Sequence, residues 1–227
     1  MNLKLLHIFL LSTAGTFLLC TPFINTVELA NGLVTGKMCW FHLAMLFFSV
    51  CVFFVMLTKK GTVIAFTFSD PLVLFFAGGV LITYKWNLNP EPEKLIFAGQ
   101  LVILWFLLRY VLTAYREFKF FFLFVLMFTG LIEAVWGMQQ LHGYSHSNHS
   151  LFRLTGSFFN PGPYSGYIAV ILPVCLWTAL RFQKGMHYFA WICVGAILIV
   201  LPAGMSRSAW IAAVVACGWV YWTERIG

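Results

Sequence analysis

Residues Met38–Leu57 read MCWFHLAMLFFSVCVFFVML, a run in which only His42 and Ser49 are polar. As a helix rising 1.5 Å per residue, this run is about 30 Å long, the thickness of a bilayer's hydrocarbon core. Its apolar residues fill every face and lack the two-residue alternation that a barrel strand would show. The run therefore reads as a helix solvated by lipid or protein on all sides. The same pattern recurs along the chain: about Leu5–Phe23, Met38–Leu57, Val63–Thr83, Leu95–Leu112, Phe120–Met138, Tyr164–Leu180, Tyr188–Ala203 and Ala209–Trp222. These runs predict an all-α, polytopic integral membrane bundle of about eight transmembrane helices, forming a single membrane domain over residues 1–227.

Composition agrees. Only 9% of the 227 residues are charged and 61% are hydrophobic, whereas a soluble domain carries about 25% charge, so a water-soluble globule is excluded. The six cysteines, Cys20, Cys39, Cys51, Cys175, Cys193 and Cys217, lie in or at the rim of apolar runs without CxxC spacing. They read as small packing hydrophobes rather than a disulfide framework. Met1–Cys20 has the ingredients of a signal peptide, but Pro22 and Phe23 stand where a small-residue cleavage site belongs, so the segment reads as an uncleaved first span.

Net charge is +7, and its distribution sets orientation. With the N-terminus inside, nine basic residues fall on the cytoplasmic side: Lys4, Lys59, Lys60, Arg109, Arg116, Lys119, Arg181, Lys184 and Arg225. Five fall outside: Lys37, Lys85, Lys94, Arg153 and Arg207. The excess predicts an N-in, C-in topology and accounts for the basicity without a nucleic-acid partner. The loop over residues 142–163 then faces outward.

Two outward segments carry the candidate chemistry. The first runs Arg153-Leu154-Thr155-Gly156-Ser157-Phe158-Phe159-Asn160-Pro161-Gly162-Pro163. Its Asn-Pro-Gly-Pro turn opens a helix whose end is expected to offer N–H groups to an anion. The second, residues 204–210, is Gly204-Met205-Ser206-Arg207-Ser208-Ala209-Trp210, where Ser206 or Ser208 would cap the last helix. A guanidinium suits phosphate oxygens, although interfacial snorkelling explains either arginine taken alone.

Two acids need accounts as well. Asp70, before Pro71, either caps a helix starting at that proline or is a functional charge at membrane depth. Glu133 lies about two turns before His142, near the level of the arginine loop. The spacing of His142, His146 and His149 permits a base or a metal ligand, but their Gly, Ser and Asn neighbours favour a solvated, flexible loop. The tryptophans and tyrosines near run ends read first as interfacial belts. Walker, dinucleotide, HExxH and GxSxG motifs are missing, which removes support for nucleotide-driven or zinc-hydrolytic chemistry. No metal or cofactor is implied.

The order of the two outward segments, Arg153, Gly156, Asn160-Pro161 and Gly166, then Ser206-Arg207-Ser208-Ala209-Trp210 two apolar runs later, resembles the O-antigen ligase and O-antigen polymerase superfamily. That resemblance implies a multi-pass protein of the bacterial cytoplasmic (inner) membrane. It also implies transfer of a glycan from a polyprenyl pyrophosphate to an acceptor hydroxyl on lipid A core, a glycan chain or a protein, in lipopolysaccharide or related polysaccharide biosynthesis. Arg153 and Arg207 would be the catalytic pyrophosphate clamp, with Gly156, Asn160, Ser206, Ser208 and Glu133 shaping the substrate site. Members of the superfamily have further spans and a second large outward loop bearing a histidine. The resemblance therefore covers only their N-terminal part, and the chain is expected to be truncated or completed elsewhere. A transporter of a lipid-linked sugar or small anion, supported by Asp70 and the Pro202-Ala203-Gly204 interruption, is the alternative, as is a donor-binding remnant without catalysis.

Overall fold

The computed structural model describes residues 3–26, 32–59, 61–62, 64, 67–87 and 89–225. Lys60, the start of the third run at Val63, and Leu88 lie outside the described residues. Among the described residues eight α-helices follow one another: α1 (Leu3–Leu19), α2 (Gly32–Thr58), α3 (Ser69–Trp86), α4 (Pro92–Ala114), α5 (Arg116–Leu141), α6 (Pro161–Arg181), α7 (Gly185–Val200) and α8 (Arg207–Arg225). Short 3-10 turns occupy Thr21–Phe23 and Pro202–Gly204. No strand occurs among the described residues.

Among the described residues four helices, α2, α4, α5 and α6, are long and apolar enough to cross a membrane. Helices α1 and α7 are apolar but shorter, with 17 and 16 residues. Most helices outrun their apolar stretches, because a backbone hydrogen-bond ladder continues into the polar flanks until a breaker stops it. Thus α4 begins at Pro92, which supplies a first-turn residue without an N–H to satisfy, and α5 begins at Arg116 rather than Phe120. The opposite correction applies at Tyr188–Ala203: Pro202 ends regular helix, and residues 202–204 form the turn into α8.

The chain divides into two compact units, Met1–Leu18 with Cys39–Phe121, and Leu19–Met38 with Phe122–Gly227. In the first, Leu18, Phe41, Ala44 and Met45 form a small core. Polar side chains bind its helices together. His42 meets Gln100, joining α2 to α4. Asp70, 1% exposed, receives Arg109 of α4, Trp105 Nε1–H at 3.0 Å, and the Thr67 amide at 2.7 Å. Helix α3 starts at Ser69 rather than at Pro71. Asp70 therefore lies within the first turn and turns its carboxylate back to Thr67 while pairing α3 with α4. Its acceptors are occupied, so this buried acid is accounted for as an antiparallel helix clamp.

The second unit is organised by α6, whose residues Tyr164, Ser165, Ile168, Ala169, Ile171, Leu172 and Cys175 are buried at the three- and four-residue spacing of one helix face. Around them pack Met127 and Ala134 of α5, Cys193, Val194 and Ile197 of α7, and Ala209 and Ala213 of α8. Helices α6 and α8 run parallel. At one end Ser165 donates to the Gly204 carbonyl at 2.8 Å. At the other, Glu224 accepts Trp177 Nε1–H at 2.9 Å and lies 3.9 Å from Arg181. All six cysteines are free thiols, with Cys51, Cys175 and Cys193 buried and Cys39 exposed.

Because removing one partner of a buried ion pair strands the other charge in an apolar medium, Asp70→Leu is expected to melt earlier than wild type in detergent. The double variant Asp70→Leu/Arg109→Leu should recover part of that loss. Thermal unfolding across the double-mutant cycle checks this, and additive losses would mean the pair is not coupled.

Candidate functional site

The loop joining α5 to α6 is fixed by one buried amide. Gln140, 3% exposed, accepts the backbone N–H groups of Thr155 (2.9 Å) and Gly156 (2.8 Å) at Oε1, and donates through Nε2 to the carbonyls of His146 and Gly156, both at 3.1 Å. These four bonds use both acceptor and both donor positions of a primary amide. Asn148 adds a second brace, donating to Gly156 O at 3.1 Å and Phe158 O at 3.0 Å. The Ser, Asn and His stretch that reads as a flexible linker is thus tied at residues 146, 147 and 148, the Ser147 hydroxyl lying 3.2 Å from that of Thr155.

Leu154, Thr155, Gly156 and Ser157 are buried as a result. Gly156 sits at φ +54° in the left-handed region, where a Cβ would run into Glu133 Oε2 and the Tyr164 ring. Both the backbone angle and the absent side chain are required there. Glu133, fully buried, accepts the Ser157 amide at 3.0 Å through Oε2. Its main-chain carbonyl receives the Tyr164 hydroxyl at 3.2 Å. Its Oε1 has no hydrogen-bond partner among the described residues. Lys37 acts on Glu133 electrostatically without forming an ion pair with it. Lys37 is itself pinned by the carbonyls of Pro22 (2.5 Å) and Ile24 (2.7 Å) and lies over the Phe158 ring at 5.6 Å.

Arg153, immediately before the buried stretch, is exposed. It lines a cleft of about 610 Å³ together with Gln140, His142, His146 and His149. The three histidines differ. His149 Nδ1 accepts the Leu151 amide at 3.1 Å, and its ring packs on Phe152 and Phe159, so it serves the loop. His142 Nδ1 lies 2.9 Å from the Met138 carbonyl. A carbonyl can only accept, so Nδ1 carries a proton, and in the neutral ring the lone pair is then on Nε2, the arrangement a general base requires. Among the described residues no three His, Cys, Asp or Glu side chains converge as a metal site.

The second segment is a capped helix start. Ser206, the residue before α8, accepts the Ala209 amide at 3.4 Å through Oγ and lies 3.2 Å from the Ser208 hydroxyl. Of the two serines, Ser206 is the cap. The N–H groups of Arg207 and Ser208, in the first turn, have no carbonyl one turn earlier to meet. The corresponding offer at α6 is smaller than its sequence implies: Pro161 and Pro163 have no N–H, and that of Tyr164 points to the Asn160 carbonyl at 3.5 Å. Asn160 occupies the cap position without a side-chain capping bond. Anion capacity therefore concentrates at α8, where Arg207 itself is exposed.

The structure thus joins the first turns of α6, just past the first segment, to the start of the second through the Ser165–Gly204 contact, so close that a Cβ on Gly204 would overlap the Ser165 hydroxyl. It brings Arg153 together with the histidines, and Glu133 with Gly156 and Ser157. Arg207 is not among the residues lining the Arg153 cleft, and neither arginine forms an ion pair with the described acids. Gln140, Asn148 and Lys37 escape a sequence reading because a lone amide or lysine has no spacing signature. The one legible signal is Gln140 near the polar end of an apolar helix. No protein-family model, curated protein or solved structure matches the chain.

Gly156→Ala combines left-handed backbone strain with overpacking against Glu133 and Tyr164, and is expected to cost about 3 kcal/mol of stability. Denaturant unfolding in detergent should register that loss, whereas Gly143→Ala, also at positive φ but with open space around it, should lose less.

Proposed function

We propose that this protein is an O-antigen ligase-like enzyme that transfers a glycan from a polyprenyl pyrophosphate to an acceptor hydroxyl at the outer face of the bacterial cytoplasmic membrane, with eight helices crossing the bilayer. The observation that carries the reading is the junction of the two arginine-bearing segments. The α6 start that follows Arg153 and the turn that leads into Ser206-Arg207-Ser208 are 39 residues apart and hydrogen-bonded to each other through Ser165 and Gly204.

In this reaction the acceptor oxygen attacks the anomeric carbon as the bond to the pyrophosphate oxygen breaks, and the acceptor proton leaves to a base. The leaving group gains negative charge, so groups fixed in advance to receive that charge lower the barrier. Arg207 and the first-turn N–H groups of α8 supply them at one segment, and Arg153 supplies a guanidinium at the other. Gly156, Asn160, Ser206 and Ser208 shape these segments, and Glu133 holds the loop through Ser157. The donor glycan, the acceptor glycolipid, glycan or protein, and the surrounding bilayer are the partners of this reading. The transporter alternative loses its main support, because Asp70 is saturated by Arg109, Trp105 and Thr67 and residues 202–204 form a connecting turn.

In proteoliposomes given a polyprenyl-pyrophosphate glycan and acceptor, Arg207→Lys should lower transfer about a hundredfold, the scale for losing one preorganised charge-stabilising donor. Arg153→Lys should also lower it, because lysine keeps the charge but loses the fork. Wild-type transfer by the double lysine variant contradicts the assignment, as does solute flux without covalent product.

A further inference from the structure

The end of the first unit where α1 and α5 begin and α2 and α4 finish contains a cleft of about 540 Å³ that the proposed reaction does not use. Lys4, His7, Thr58, Lys59, Tyr115 and Arg116 contribute to its walls. Its base is a closed hydrogen-bond network. His7, 2% exposed, meets the Tyr115 hydroxyl at 2.5 Å through Nδ1 and Thr58 Oγ1 at 2.8 Å through Nε2. Thr58 commits its own hydrogen to the Phe54 carbonyl at 2.7 Å. It must therefore accept from Nε2–H, which leaves Nδ1 to accept from Tyr115. Burial pushes the Tyr115 phenol above its ordinary range, which keeps it a donor.

That network orients Tyr115, and Tyr115 in turn fixes a cation. The Lys59 ammonium lies 4.0 Å from the Tyr115 ring centroid and donates to the Ala114 carbonyl. Lys4 is held 2.6 Å from Glu117. Arg116 is exposed at the first residue of α5. Lys4, Lys59 and Arg116 set against Glu117 leave a net +2 around the cleft (three minus one). Basic side chains that merely snorkel extend separately toward headgroups. Here the Lys59 ammonium is clamped by a ring whose orientation is set from the buried side.

We propose that this cleft binds a phosphate-bearing anion, either the headgroup of an anionic lipid or a free phosphate ester, with Lys59 and Arg116 as its principal ligands. After its bond to Ala114, Lys59 retains two ammonium hydrogens, and Arg116 offers a guanidinium fork. By the count of basic residues this end belongs to the cytoplasmic side, whose leaflet carries a negative surface potential. The inference is independent of glycan transfer.

The test uses the full chain purified in neutral detergent and titrated in mixed micelles with fluorescent phosphatidylglycerol or phosphatidylcholine, read by anisotropy, with inorganic phosphate as competitor at constant ionic strength. Lys59→Gln and Arg116→Gln should each weaken phosphatidylglycerol binding roughly fivefold, the effect of one basic residue near an anionic surface. Lys85→Gln, an exposed lysine on α3 outside the cleft, should leave binding unchanged. Preference for phosphatidylglycerol without competition by phosphate identifies the lipid as the source, and competition by phosphate identifies the free ester; both support the cleft. Equal weakening by Lys85→Gln, or wild-type binding by both cleft variants, overturns it. Arg116→Gln guards against misfolding, because its side chain has no bonding partner among the described residues, and its melting temperature in lipid-free detergent should match wild type.

Discussion

One buried amide governs the geometry of the candidate site. Gln140 spends its whole hydrogen-bonding capacity on the loop that follows it, receiving Thr155 and Gly156 and donating to His146 and Gly156. Gly156 meets it with both its N–H and its carbonyl, a pairing that needs the left-handed backbone of a glycine. An amide left with unmet donors in so buried a place would be costly, so the loop is held in one arrangement rather than several. From that anchor follow the burial of Leu154 and Ser157, the contact of Ser157 with Glu133, and the emergence of Arg153 into the cleft beside His142 and His146.

Helical class and element number are legible in the sequence because continuous apolar runs have few physical solutions. Met38–Leu57 could hardly be anything but helix. Element ends are less legible, since Pro92 and Pro202 act on the backbone and leave hydropathy nearly unchanged. Lys4, Lys59 and Arg116, far apart in sequence, lie around a single cleft, a convergence that charge counting alone does not reveal. The partners of buried charges are not legible. Glu133 accepts the amide of Ser157, 24 residues further on, a contact that no spacing announces. Asp70 likewise meets Arg109 from the next helix, because antiparallel neighbours bring the start of one level with the end of the other.

The same logic explains why the two arginine segments differ in what they offer an anion. Both begin helices, and both look equivalent as strings of small and turn-forming residues. At α6 two prolines remove the donors that a helix start would present, and Asn160 contributes no capping bond. At α8 Ser206 caps the third position and leaves the first two N–H groups beside Arg207. The second segment leaves more N–H donors open at its helix start, and the first is the better-braced scaffold, carrying its arginine on a loop fixed from below by Gln140.

Hydrogen–deuterium exchange of the reconstituted protein, with and without polyprenyl pyrophosphate, bears most directly on the claim that these two segments form one donor site. The account predicts added protection in both residues 153–157 and residues 206–210 when the lipid pyrophosphate is bound, and none with polyprenol lacking phosphate. Protection of one segment alone, or of neither, would contradict a shared site.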